Sequence, residues 1–228
     1  MITKRSANER GHMKWSWLEA FHSFSFASYF DPKWMGFHKL RVINDDFIDG
    51  GRGFDTHPHR NMEIVSFIID GGLEHKDTMG NHYTINPGEI QVMSAGTGIE
   101  HSEYNPYPDK KTHSLQIWIE PNIEDITPSY QSYKYTEKIN ELTLLASGHD
   151  KSVAKIHQDA DIYVGKYENY QGALSISKNH AYWLHCYKGS GQLNSEHFKE
   201  GDGFAIESEG KMNLEVTSVL EFLLFKLG

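Results

Sequence analysis

Apolar and polar residues alternate along several short segments of the chain, which is the pattern of strands with one buried face. In residues 113–120, Leu115, Ile117 and Ile119 lie on one side of an extended backbone, and the intervening side chains lie on the other. This alternation predicts a half-buried strand. Similar short runs occur at residues 39–43, 63–69, 82–85, 89–94, 161–167, 173–177, 182–187 and 220–227.

Glycine-bearing turns separate these runs. Many short strands joined by such turns are typical of antiparallel sandwiches and barrels. Only two segments carry a helix-like pattern, residues 8–21 and 137–146, and neither has a long apolar stripe. We therefore expect a mainly β protein with minor helix.

The strand pattern is interrupted once, in residues 120–135, where acidic residues and two prolines replace the apolar periodicity. A chain of 228 residues is long enough for two small domains. We therefore expect an N-terminal domain at residues 1–125 and a C-terminal domain at residues 126–228. Ten of the 14 histidines precede residue 150, which indicates that the chemistry is concentrated in the first half.

Composition narrows the class of function. The 22 basic and 31 acidic residues give a formal charge of −9, and without a visible basic cluster we expect no nucleic-acid partner. No apolar run approaches the roughly 18 residues of a membrane span, and the first residues lack the apolar stretch of a secretory signal. The single cysteine, Cys186, excludes an internal disulfide and fits a reducing compartment. We expect a monomer in the cytoplasm, with no membrane partner.

Two pairs of side chains at a spacing of two residues suggest a metal site. His57 and His59 follow a glycine-rich turn, and His101 and Glu103 follow another. In an extended chain, side chains two residues apart point to the same face, so two strands can present three imidazoles and one carboxylate to a shared point. Such a mixed nitrogen and oxygen set suits Fe, Mn, Co, Ni, Cu or Zn rather than Ca or Mg. On an octahedral ion it leaves two positions for water, O2 or substrate.

The spacing around these residues resembles the cupin superfamily and, more narrowly, the pirin family of bicupins. Cupins carry G-x5-H-x-H-x3-E, which Gly51 to Glu63 match, followed by G-x2-H-x3-N, which Gly98 to Asn105 match. The chain departs from these patterns at two places. Gly71 stands one position later than the glycine of the pattern, and Gly96 occupies a position where cupins commonly have a proline. Segments within residues 20–106 are similar to pirin in particular.

The resemblance implies a bicupin, with two cupin-type antiparallel β-barrels packed face to face. It implies that the N-terminal barrel binds one divalent transition metal, iron before Mn, Co, Ni, Cu or Zn, through His57, His59, His101 and Glu103. Glu63 is then displaced as a ligand and has a supporting or structural role. The C-terminal domain carries no comparable histidine pair, and we expect it to lack a metal.

The same resemblance implies a dioxygenase of the quercetin 2,3-dioxygenase type, which opens a flavonol-like aromatic enol with O2. The substrate would be a small aromatic molecule, and Glu103 would serve as the catalytic base. An alternative is a non-enzymatic metal or redox sensor that binds a regulatory or metabolic protein. A third hypothesis is a cupin isomerase or another small-molecule enzyme that consumes no O2.

Other groups are expected to support the fold or the site. We expect His75, Asp77 and His82 to be solvated or to support metal ligands through hydrogen bonds. We expect Cys186 to be an inert buried thiol. The aromatic residues between positions 15 and 34 are expected to pack together, and part of them can line a pocket for a flat aromatic substrate.

Overall fold

The computed structural model describes residues 1–207 and 210–228, and the chain forms two compact units. The unit called N-terminal below comprises Gly11–Tyr135 and Asp150–Gln158. The unit called C-terminal comprises Met1–Arg10, Thr136–His149 and Asp159–Gly228. Neither unit is continuous in sequence. The division into domains at residues 1–125 and 126–228 stays a prediction.

Strands make up most of the described chain. The first ten are β1 (Ile2–Arg5), β2 (Gly11–Lys14), β3 (Leu18–His22), β4 (Leu40–Ile48), β5 (Gly53–His59), β6 (Glu63–Asp70), β7 (Leu73–Asp77), β8 (His82–Ile85), β9 (Glu89–Ser94) and β10 (Ile99–Tyr104). The others are β11 (Thr112–Ile119), β12 (Ser129–Lys134), β13 (Glu141–Ser147), β14 (Ala154–Lys155), β15 (Ala160–Ser175), β16 (Ala181–Leu193), β17 (Glu196–Lys199), β18 (Gly203–Glu207) and β19 (Lys211–Leu227). The mainly β class is confirmed.

The expected minor helix is wrong at both proposed segments. Residues 8–21 form the end of a short 3-10 turn, Ala7–Glu9, and then strands β2 and β3. In β3 the burial alternates, with Leu18 and Ala20 inside and Glu19 partly exposed, so the segment follows the period of a strand. Residues 137–146 lead into β13, whose backbone pairs with β15. Sheet pairing therefore overrides the weak helical pattern in both places.

Two antiparallel sheets build the N-terminal unit. The larger sheet has the order β12-β9-β6-β11-β4-β3-β2, and the smaller has the order β5-β10-β7-β8. One apolar cluster contains Leu18, Ala20, Ile48, Ile68, Leu73 and Ile85, and a second contains Ile64, Met93, Ala95 and Ile99. Several other buried side chains of the same strands are polar, and those of β7 and β10 belong to the candidate site.

The C-terminal unit is built on one antiparallel sheet in which the strand order is β1-β18-β16-β19-β15-β13 and β17 pairs with β16. Its core is almost entirely apolar and includes Leu184, Phe204, Phe222 and Leu224, each no more than 1% exposed. Cys186 is a member of this core and is fully buried. Within the described residues, no helix is long and apolar enough to cross a membrane.

Candidate metal centre

Three histidines meet where β5 pairs with β10. His57 lies directly opposite His101 in the antiparallel register, and His59 lies opposite Ile99. The ring centroids of the three histidines are 4.5 to 4.9 Å apart. One ligand atom from each ring can be chosen so that all three lie within 4.8 Å of one another. Neighbouring strands therefore bring together the three histidines that the sequence predicted as ligands.

The local sequence explains why β5 tolerates this arrangement. The strand is at the edge of its sheet, so Pro58 between the two histidines removes no hydrogen bond from a central strand. His57 and His59 point to the same face because they are two residues apart. On β10, the register shifts between His101 and Glu103, and this irregularity places Glu103 opposite Phe54.

Burial and the neighbouring rings keep the imidazoles of His59 and His101 neutral. Burial, followed by the neighbouring His101 and His57, lowers the pKa of His59 to about 4. Burial, followed by His57 and His75, lowers the pKa of His101 to about 3. Both rings therefore keep a free nitrogen lone pair at neutral pH, as a metal ligand requires. His101 Nε2 is buried and has no hydrogen-bond partner among the described residues.

Glu103 is buried beside this cluster, with 2% of its surface exposed. Gln116 Nε2 donates a hydrogen bond to its Oε2 at 2.7 Å, and Ser66 Oγ donates to its Oε1 at 3.3 Å. These bonds fix the orientation of the carboxylate. Glu103 does not belong to the group of ligand atoms that lie within 4.8 Å of one another, so its assignment as the fourth ligand stays a prediction.

Glu63, the usual carboxylate ligand of the first cupin pattern, accepts hydrogen bonds from other residues of the N-terminal unit. Its Oε2 accepts hydrogen bonds from Ser94 Oγ at 2.8 Å and from the backbone N–H of His157 at 3.0 Å. The side chain is 1% exposed. Glu63 therefore has the structural role expected from its position, since it ties the segment around His157 to β6 and β9.

A cavity of about 420 Å³ opens beside the histidines, within the N-terminal unit. His57, His59 and Glu103 line it. Its aromatic walls are Trp15, Trp17, Phe26, Phe54 and Trp118. Part of the aromatic run between positions 15 and 34 thus lines a pocket, which was one of the two roles expected for it.

Comparison with known proteins assigns the chain to a family. The family model described as Pirin matches residues 3–119. The chain belongs to the pirin family. A model described as the quercetinase C-terminal cupin domain matches residues 144–227. Together the two matches confirm the bicupin resemblance, because each covers most of one unit.

Relatives align with the chain over its whole length. It is 43% identical to the quercetin 2,3-dioxygenase of Escherichia coli strain K12, with 100% of this chain and 99% of the relative covered. It is 35% identical to a pirin-like protein of Caulobacter vibrioides, with 98% of each covered. The crystal structure of the bacterial pirin YhhW from Escherichia coli in complex with nickel(II) superimposes with a TM-score of 0.94 at 42% identity, covering 100% of this chain and 99% of that one.

The donor set of this pirin fits a divalent transition metal. Three imidazoles whose ligand atoms lie this close together are donors that such ions prefer. The unpartnered and buried His101 Nε2 supports the same reading, since a buried polar atom without a hydrogen bond is costly unless another partner satisfies it. The histidines alone accept several first-row metals.

Sequence reasoning missed Asp46, a second carboxyl group that lines the cavity and is 5% exposed. Burial, followed by the charges of Asp45 and Glu103, raises the pKa of Asp46 well above its ordinary value. Asp46 therefore keeps its proton to higher pH than an ordinary aspartate, and in the protonated form it donates a hydrogen bond. The available signal was a run of three polar residues, Asn44 to Asp46, within the otherwise largely apolar strand β4.

Two more polar atoms of cavity-lining residues are unsatisfied. Gln116 Oε1 and Trp118 Nε1 are buried and have no hydrogen-bond partner among the described residues. The ring of Trp118 also packs edge-on against His59, with centroids 5.0 Å apart.

The side chains of His75 and Asp77 are buried, and His75 contacts His101, which is the second of the two roles expected for them. Both side chains are 0% exposed, and His75 Nε2 lies 3.0 Å from Asp77 Oδ2. Burial opposes ionisation of Asp77, but hydrogen bonds from His75 and Asn81 outweigh it and lower its pKa. His82, in contrast, is exposed and pairs with Glu74 at 3.1 Å.

Proposed function

We propose that this pirin is a metal-dependent dioxygenase of the quercetin 2,3-dioxygenase type, which opens a flavonol-like aromatic enol with O2. The observation that carries the proposal is the position of the histidine cluster. It borders a cavity with five aromatic side chains on its walls and the carboxylate of Glu103 beside it. The names of relatives that align over the whole chain support the same reaction.

In this proposal His57, His59 and His101 hold one divalent ion, and Glu103 is the fourth ligand. A bound ion of this kind acts as a Lewis acid on a substrate oxygen and keeps open positions for substrate and O2. Iron is our first expectation for the ion. Manganese, cobalt, nickel, copper and zinc suit the same donors, and a pirin relative has been solved with nickel(II).

Glu103 is the base in the proposed reaction. A substrate hydroxyl beside a carbonyl loses its proton to the Glu103 carboxylate, which leaves an electron-rich enolate. Gln116 and Ser66 each donate one hydrogen bond to this carboxylate, so both oxygens keep acceptor capacity. Their bonds also hold Glu103 in one orientation, which reduces the motion needed for proton transfer.

The remaining polar groups of the cavity suit a hydroxylated aromatic molecule. The indole N–H of Trp118 is a donor and Gln116 Oε1 is an acceptor, and Asp46, whose pKa is raised by burial, is a second donor in its protonated form. The aromatic walls offer flat apolar surfaces for ring stacking and exclude water from the bound rings.

Oxygen uptake with quercetin by the metal-loaded protein tests the proposal. Replacing a general base costs about 100-fold to 10,000-fold in rate. We therefore expect Glu103→Gln to lose at least about 100-fold in kcat. Glu100→Gln, an exposed change on the same strand, should behave as wild type.

Metal analysis of the same samples separates the two roles of Glu103. We expect the Glu103→Gln variant to keep its metal, because three imidazoles remain. Equal loss of metal and turnover would make Glu103 a ligand and not a base. Absence of uptake by the wild type with every first-row metal would overturn the enzyme proposal and favour the metal or redox sensor that binds a protein partner. Turnover of another substrate without O2 consumption would favour the isomerase.

Several coarser expectations accompany this proposal. We propose that the metal chemistry belongs to residues 1–125 and that residues 126–228 form a domain without a metal. A monomeric state, a cytoplasmic location and the lack of a nucleic-acid partner stay predictions. Light scattering at several protein concentrations tests the monomer directly.

A further inference from the structure

Three buried side chains form a hydrogen-bonded row that ends at the histidine cluster. Asp77 Oδ2 lies 3.0 Å from His75 Nε2, and His75 Nδ1 lies 3.3 Å from His101 Nδ1. Exposure is 0% for His75 and 1% for His101. The sheet register produces this row, because β10 pairs with β7 so that His101 faces Asp77 and Glu103 faces His75.

The hydrogen bonds of Asp77 determine which atom of His75 carries a proton. Asp77 accepts from the backbone N–H groups of Met79 at 2.9 Å and Asn81 at 3.0 Å, and from Asn81 Nδ2 at 2.8 Å. A carboxylate with this many donors is an acceptor only. His75 Nε2 must therefore donate to Asp77. In a neutral imidazole the other nitrogen is then an acceptor, so His75 Nδ1 has a lone pair.

This lone pair determines the tautomer of His101 in turn. Two ring nitrogens 3.3 Å apart form a hydrogen bond only if one of them carries the proton. Because His75 Nδ1 is the acceptor, His101 Nδ1 is the donor. The proton of a neutral His101 is then on Nδ1, and Nε2 is left with a lone pair that no described residue uses.

The ring of His75 is itself held in place. It stacks on Tyr130, with centroids 4.8 Å apart and an interplanar angle of 29°. His57 offers a contrast, because its Nδ1 lies 2.7 Å from the backbone carbonyl oxygen of Asp55, two residues away. That local partner selects the same tautomer for His57. Among the residues that the structure describes, His101 has no such local partner, and it depends on two side chains of another strand, β7.

We propose that His75 and Asp77 are positioning residues that select the Nδ1–H tautomer of His101 and so present its Nε2 atom to the metal ion. The inference rests on the proposed metal site and names the groups that prepare it. Hydrogen-bond partners behind metal-ligating histidines commonly change metal affinity by about 10-fold to 100-fold when they are removed.

The tautomer can be measured without any metal. Long-range ¹H–¹⁵N NMR of the metal-free wild type, labelled on histidine, distinguishes the two ring nitrogens, and His101→Gln identifies the signal. We expect His101 to be protonated at Nδ1 and unprotonated at Nε2. A proton on Nε2 would overturn the proposal whether or not the protein binds metal.

Two variants of His75 separate positioning from packing. An asparagine oxygen lies near the place of Nδ1, so His75→Asn keeps an acceptor for His101. A glutamine amide lies near the place of Nε2, so His75→Gln keeps a donor for Asp77 but no acceptor for His101. We expect His75→Gln to weaken nickel(II) binding about 10-fold to 100-fold and His75→Asn by no more than about threefold.

The controls make each outcome decisive. His82→Gln changes an exposed histidine on β8 and should leave nickel(II) affinity unchanged. Equal weakening by both His75 variants would mean that the ring matters only for packing, and unchanged affinity in both would mean that it does not act on the ion. Either result overturns the proposal. A wild type that binds no nickel(II) would contradict the proposed metal site, while the NMR measurement would still decide the tautomer.

Discussion

Acid should destabilise the metal-free protein through His101, and replacing this histidine should remove part of the effect. The pKa of His101 is lowered from an ordinary 6.5 to about 3 in the folded chain. Between these values the unfolded chain binds a proton that the folded chain excludes. The free energy of unfolding therefore falls as the pH falls below about 6.5.

The size of the effect follows from the two pKa values. At pH 5 the protonated form of an ordinary imidazole in the unfolded chain outnumbers the neutral form about thirtyfold. The imidazole of His101 in the folded chain stays neutral at this pH. This difference corresponds to about 2 kcal/mol lost between pH 7.5 and pH 5. His59 contributes in the same direction but less, since its ring is only partly buried. Asp46 contributes in the opposite direction, because its raised pKa favours the folded state in acid.

A comparison of wild type with His101→Gln tests the term, since Asp46 is present in both proteins and the loss of His101 also relieves part of the shift of His59 in the same direction. The assay is equilibrium unfolding in urea, followed by circular dichroism at pH 7.5 and pH 5 with a chelator present. We expect the variant to lose about 2 kcal/mol less than the wild type over this interval. Equal losses in the two proteins would refute the reasoning, because His101 would then titrate alike in the folded and unfolded chains.

Three further predictions concern the fold and its thiol. Glu63→Ala removes a carboxylate that accepts from the Ser94 hydroxyl and from the part-buried backbone N–H of His157, so it should cost about 1–3 kcal/mol in urea unfolding. Nickel(II) affinity should stay unchanged, and weaker binding would contradict the structural role of Glu63. Gly96→Ala should lower the unfolding free energy by at least about 1 kcal/mol, because Gly96 has φ +45° and an added Cβ would meet the carbonyl oxygen of Ile126. Unchanged stability of this variant would contradict the prediction. Burial raises the pKa of Cys186 to about 12, so a thiol reagent should label it only in urea, and rapid native labelling would argue against its burial.

The strand segments with clear turns at both ends were predictable from sequence. Residues 82–85 and 89–94 are β8 and β9 with the predicted bounds, because glycine- and proline-bearing turns flank them. The segments predicted at 161–167 and 173–177 belong to one strand, β15, which ends at Ser175, because a long partner, β19, pairs with both across a single irregularity. Strand length here depends on the partner, which local sequence does not contain.

The placement of His57 and His59 on one face was predictable from sequence, because their spacing of two residues is the period of a strand. The row from Asp77 to His101 was not, since it depends on the register between β7 and β10. A slip of one residue would turn His75 to the opposite face. The departure at Gly96 from the proline of the cupin pattern also has a structural reason, because proline is restricted to a negative φ and Gly96 has φ +45°.

X-ray absorption at the nickel edge tests the central claim most directly, namely that the imidazoles of β5 and β10 hold a single ion. We expect one ion for each wild-type chain, with scattering from three imidazoles, and a loss of one imidazole from the signal of His101→Gln. An unchanged imidazole signal in that variant, or no bound ion in the wild type, would contradict the account.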